Sequence, residues 1–129
     1  MMEFMRAAST APIAFTYASG TNSPVLVMGI HPGTNLLVAT SGNWLGHYVP
    51  AAYRSHPFCT AKNQNGSNLL SFFSDSEFVL NHIPPGTKAK PFFSGADLSE
   101  ELQATWKFLQ NVEAGRLITE RFCASFAEL

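Results

Sequence analysis

Charge is what this sequence has least of. Only 13% of its residues are Asp, Glu, Lys or Arg, and the eight basic residues form no cluster. No footprint for a nucleic acid or an anionic lipid surface exists, and the formal net charge of -1 gives no long-range attraction to either. Cysteine is almost as scarce. Cys59 and Cys123 stand far apart and outside any CxxC pair, so neither a disulfide framework nor a zinc knuckle is implied, and both are expected as buried, reduced thiols. No apolar run approaches the ~20 residues that span a bilayer. The N-terminal segment MMEFMRAASTAPIAF carries Glu3 beside Arg6 and lacks the apolar core of a secretory signal, which places the chain in the cytoplasm by default. GxSxG, a glycine-rich phosphate loop and HExxH are all missing, which removes the commonest hydrolase, nucleotide-binding and zinc-protease readings. No catalytic residue, cofactor or metal is assigned.

What the chain does have is apolar mass. Its 129 residues are 46% hydrophobic, with eleven Phe, two Trp and three Tyr, a composition expected to fold as one compact domain over residues 1–129. So few charges leave little polar surface to cover that mass, which favours self-association.

Short strands and turns alternate first. PIAFTY (12–17) and PVLVMGI (24–30) read as a hairpin joined by the turn residues ASGTNS. HPGT (31–34) is a Pro-Gly turn leading to a third strand over 35–39, and SGN (41–43) turns toward Trp44. Pro50 suits the start of a short helix, AAYRS, which ends near His56 because Pro57 disfavours helical geometry before it. Residues 58–61 and 68–73 flank NQNGS, where Asn65-Gly66 signals a type I′ hairpin. Residues 74–91 are irregular around Pro84-Pro85-Gly86. The predicted architecture is α+β: an antiparallel sheet of about five strands, a short helix and a long C-terminal helix.

The long helix is expected from Asp97 as N-cap, with Glu100 completing a capping box, toward Leu129. Leu102, Trp106, Leu109 and Val112 form one apolar stripe, and Phe122, Phe126 and Leu129 continue a similar spacing. An unbroken helix of that span would exceed ~45 Å, against a radius of gyration of ~14 Å for such a domain. Either Gly115 breaks it, or its distal half packs on a second subunit through Leu117, Phe122, Phe126 and Leu129. A homodimer through this helix is the expectation.

Two function classes remain open. The first is a non-catalytic interaction module with a protein partner. The second is a small-ligand or metal-binding protein, or an enzyme, with a pocket around Trp44, Tyr48, Tyr53, Arg54 and His56, where an aromatic wall and a guanidinium could hold a carboxylate. Against that pocket stands plain packing of Trp44 and Tyr48 onto the sheet. His31, His47, His56 and His82, with Asp75 and Glu77, have ligand chemistry but no diagnostic metal spacing. Asn65-Gly66-Ser67 fits a glycosylation sequon, although its place in a hairpin turn accounts for the same residues.

The motifs PIAF (12–15), PVLVMGIHPGTNLLV (24–38), NWLGHYVPAAYRSHPF (43–58) and FLQNVEAGRLITERFCASFAEL (108–129), in this order, resemble the SapC family of bacterial proteins. His56 stands where the family pattern has a Tyr before Pro-Phe. The resemblance implies relatives that extend beyond both ends of this chain, which then corresponds to their central part. By its name the family implies association with a surface layer or envelope, and it carries over no agreed catalytic residues.

Overall fold

The computed structural model describes residues 3–18 and 20–126. It is α+β, in the order α1 (Phe4–Ala8), β1 (Ile13–Ala18), β2 (Thr21–Leu26), α2 (Ala51–Ser55), β3 (Phe58–Lys62), β4 (Asn68–Phe72), β5 (Phe93–Ser94), β6 (Asp97–Leu98) and α3 (Glu100–Phe126). The expected single sheet of about five strands is corrected: among the described residues each strand pairs only with its sequence neighbour, giving three two-stranded antiparallel sheets. The chain falls into two compact units, residues 1–54 with 114–129, and residues 55–113.

In the first unit, β1 and β2 pair from Ile13↔Leu26 to Ala18↔Thr21. The reversal is tighter than the ASGTNS cluster suggests, since Ala18, Thr21, Asn22 and Ser23 are all strand residues. Gly20, at φ 78°, supplies the left-handed conformation a short hairpin loop needs, while Ser19 lies outside the described residues. Pro24 is tolerated because β2 is an edge strand, with no neighbour on its far side among the described residues. HPGT turns as expected: Thr34 N–H donates to the His31 carbonyl at 3.1 Å, with Gly33 at φ 77°.

The third strand expected over 35–39 does not form. Asn35 Oδ1 accepts the Leu37 N–H at 2.9 Å, a local bond that competes with a ladder. What remains is one antiparallel bridge, Val38↔Trp44, flanked by Ala39 N–H to the Asn43 carbonyl (2.8 Å) and Leu45 N–H to the Leu37 carbonyl (2.7 Å). The meander is therefore a hairpin followed by a hydrogen-bonded loop.

In the second unit, β3 and β4 pair from Phe58↔Phe72 to Lys62↔Asn68. Their turn is not the type I′ form that Asn65-Gly66 suggests. Gly66 N–H donates to the Asn63 carbonyl (3.0 Å) and Gly66 itself sits at φ 78°, the pattern of a three-residue loop ending in a left-handed glycine. Asn63 decides this, because its Oδ1 accepts both the Asn65 N–H (3.0 Å) and the Ser67 N–H (2.8 Å). The Phe92 ring packs edge-on against Phe58 and Phe72, each with centroids 5.3 Å apart.

The N-terminus of α3 corrects a second expectation. Asp97 is extended, paired with Ser94 in the β5–β6 ladder, and so cannot cap. The buried Ser99 does so instead: its Oγ accepts the Leu102 N–H (3.3 Å), and its carbonyl accepts the Gln103 N–H (2.9 Å). Lys90 pairs with Glu101 beside this turn.

From there α3 runs 27 residues, roughly 40 Å, without the break considered at Gly115. Open space surrounds the Gly115 Cα, where an added Cβ would touch nothing within 4 Å. Gly115→Ala is therefore expected to stabilise the protein by about 0.5–1 kcal/mol, because it removes only the backbone-entropy cost of a helical glycine. Thermal unfolding should read this as a midpoint raised by roughly 2–6 °C. A fall would show that the helix bends at Gly115.

Leu102 and Leu109 are buried, and Trp106 and Val112 half-buried, as their stripe predicts. The distal residues do not extend that stripe. Ile118 lies nine positions beyond Leu109, about 180° around the helix, and is 57% exposed. Phe122 is 48% exposed, whereas the adjacent Cys123 is buried. Cys123 thus behaves as a small buried hydrophobe and Cys59, half-buried on β3, only partly so; both are free thiols. Among the described residues no helix is long and apolar enough to cross a membrane.

Candidate functional site

The first unit assembles four of the candidate residues into one network. Pro50 precedes α2 and its carbonyl accepts the N–H groups of Tyr53 (3.0 Å) and Arg54 (3.1 Å), which starts the helix at a residue with no N–H to lose. One short turn then carries Tyr53 and Arg54 side by side. The Trp44 indole stacks at a tilt on Tyr53, centroids 5.6 Å apart, and its Nε1 donates to the Tyr48 carbonyl at 3.1 Å. Gly46 makes this fold-back possible: an added Cβ there would lie 2.3 Å from the Thr10 side chain and 2.8 Å from Trp44 Nε1.

Tyr48 is the hub. Its hydroxyl accepts from Arg54 Nη2 at 2.6 Å and donates to Glu3 Oε1 at 3.1 Å, and its backbone N–H donates to Thr10 Oγ1 at 3.0 Å. The Arg54 guanidinium also lies 5.0 Å from the centre of the Tyr48 ring, within cation–π range. Glu3 closes the network, since its Oε1 also accepts the Ala51 N–H at 2.5 Å, the first amide of α2. The carboxylate that the pocket reading assigned to a ligand is in this structure supplied by the chain's own Glu3. Among the described residues no buried side-chain polar atom lacks a partner.

Burial first, and then the Glu3 carboxylate, raise the Tyr48 phenol above its ordinary value of 10.0, with Arg54 opposing them. The folded state therefore holds this proton more tightly than the unfolded chain. That contribution to stability is complete below the unfolded value and is lost as pH rises from 10.0 through the raised one. Urea midpoints measured across this alkaline window are expected to fall more steeply for the wild type than for Tyr48→Phe. Parallel curves would show that the phenol is solvated as in the unfolded chain.

His56 belongs to the second unit and has its own surroundings. Its ring stacks on Phe73 (5.8 Å, 19°), meets Phe78 edge-on (5.8 Å, 81°), and places Nε2 2.9 Å from Ser76 Oγ. Ser76 Oγ in turn accepts the Phe78 N–H at 3.3 Å. His56, Phe73, Asp75 and Ser76 line an open depression. Among the described residues no group of three or more His, Cys, Asp or Glu is placed to hold a metal.

Glu3 and Thr10 are the partners that sequence reasoning missed. They lie 45 and 38 positions before Tyr48, and no local spacing relates them to it. Of the residues expected at a subunit interface, Leu117 and Phe122 are exposed, while the Phe126 side chain and Leu129 lie outside the described residues. Ile118 was also missed, although it stands four residues before Phe122 on the same side of α3.

These features define a small α+β protein whose aromatic and guanidinium groups are tied to its own backbone and to an internal carboxylate. A family model, SapC, matches residues 1–129, and the chain belongs to the SapC family. No curated protein and no solved structure matches it.

Proposed function

We propose that this SapC-family chain is a non-catalytic interaction module that forms a homodimer through the distal part of α3. The observation that carries this reading is a run of large apolar side chains exposed there: Leu117 at 42%, Ile118 at 57% and Phe122 at 48% exposure. Ile118 and Phe122 are one helical turn apart, so together they form the start of a seam that a second copy of α3 can cover. Apolar residues at helical spacing and facing away from the buried stripe are what a helix-to-helix subunit contact uses. The closure of Tyr48 on Glu3 and Thr10, with Trp44 and Arg54 both bonded to Tyr48, supports the non-catalytic half of the reading, because those groups are engaged in holding the loop and α2 together. The match over residues 1–129 supports treating the chain as one domain.

The test is the mass in solution. Light scattering at micromolar concentration is expected to give twice 14.1 kDa for the wild type, and a monomer for the pair Ile118→Asp and Phe122→Asp with unchanged far-ultraviolet circular dichroism. A monomeric wild type would overturn the dimer. A doubled mass that survives both substitutions would move the interface elsewhere.

A further inference from the structure

We infer that Asn65 is a site of spontaneous deamidation and isomerisation, and that Asn63 controls its rate by holding the hairpin turn closed. Eight asparagines occur in the chain, and Asn65 alone precedes a residue without a side chain, so the attacking nitrogen of Gly66 is unshielded. The loop is exposed at Gln64, Asn65, Gly66 and Ser67. No described group holds the Asn65 carboxamide, whereas its neighbours Asn63 and Ser67 are tied into the turn.

The chemistry needs only water. The Gly66 backbone nitrogen attacks Asn65 Cγ, a new N–Cγ bond closes a five-membered succinimide, the Cγ–Nδ2 bond breaks, and ammonia leaves carrying the Gly66 amide proton. Water then adds at Cγ to give aspartate, or at the Asn65 main-chain carbonyl carbon to give isoaspartate. Nothing is oxidised or reduced. Either product adds a carboxylate to the loop, and isoaspartate also inserts a methylene into the backbone between β3 and β4.

The structure sets the brake on this reaction. The nitrogen that must attack is already donating, from Gly66 N–H to the Asn63 carbonyl at 3.0 Å. That turn is pinned by Asn63 Oδ1, which accepts from Asn65 N–H at 3.0 Å and Ser67 N–H at 2.8 Å. Attack therefore waits on loss of these bonds, and weakening them accelerates it.

Intact protein incubated at mildly alkaline pH, then digested and mapped by mass spectrometry with an isoaspartate assay, provides the test. The expected result is the mass gain of an NH2-to-OH exchange at Asn65 before any other asparagine, absent in Asn65→Gln. Asn63→Ala should raise the rate roughly two- to tenfold, the factor that loss of a typical hydrogen bond implies. Should that variant misfold, wild-type protein in urea is the second arm, and unfolding should accelerate the same site. Earlier modification at any other asparagine would overturn the assignment of the site. A rate at Asn65 unchanged by both Asn63→Ala and unfolding would overturn the control by the turn.

Discussion

Gly29→Ala is expected to destabilise this protein by about 2–4 kcal/mol, although glycine and alanine differ by one methyl group. An ideal Cβ at Gly29 would lie 2.0 Å from the Thr34 carbonyl oxygen and 3.0 Å from its carbon. Both are main-chain atoms, so no rotamer change can relieve the overlap. The loop that begins with the HPGT turn returns here directly against residues 28 and 29, with Leu36 N–H donating to the Met28 carbonyl at 2.8 Å. Alanine must push these segments apart and stretch that bond. Urea denaturation should show a lower midpoint at unchanged slope. Gly33→Ala is the control that separates space from conformation. Gly33 has φ 77° but nothing within 4 Å of its added Cβ, so only the left-handed strain of about 1–2 kcal/mol is expected. A Gly29→Ala cost no larger than that of Gly33→Ala would show that the loop does not close on Gly29.

Glu3→Ala should cost about 2–3 kcal/mol, a large effect for a residue three positions from the start of the sequence. Its carboxylate accepts from the Ala51 N–H and the Tyr48 hydroxyl, so truncation strands one backbone donor and one phenol together. Ala51 is only 4% exposed, which leaves its amide little access to replacement water. Hydrogen bonds to charged groups contribute about 1.5–3 kcal/mol each, and partial solvation of the Tyr48 end keeps the sum from doubling. A double-mutant cycle with Tyr48→Phe is expected to show coupling of about 0.5–2 kcal/mol, since the second substitution removes a partner already lost. Additive costs would mean that Glu3 acts on α2 alone.

Much of the local structure was legible without coordinates because its causes are local. Pro32-Gly33 dictates a turn through one fixed and one left-handed φ, and it forms where expected. Pro50 and Pro57 bracket α2, which runs Ala51–Ser55 as the residues between them imply. The stripe Leu102, Trp106, Leu109 and Val112 announced the buried face of α3 through its period alone. Short-range competition was harder to see. Asn63 overrode the type I′ preference of Asn65-Gly66, Asn35 displaced a third strand, and pairing with Ser94 denied Asp97 its cap, each through local bonds or pairings that propensity does not rank.

The sequence by itself determined that this is an α+β chain of the SapC family, poor in charge, with two main hairpins and one long helix, because turn chemistry and hydrophobic period act between near neighbours. Only the tertiary structure decided that the strands stay in separate pairs, that Ile118 and Phe122 are left exposed, and that Glu3 reaches Tyr48 and α2. Those outcomes depend on which backbone donors and apolar faces meet across tens of residues, and no local pattern encodes such a meeting.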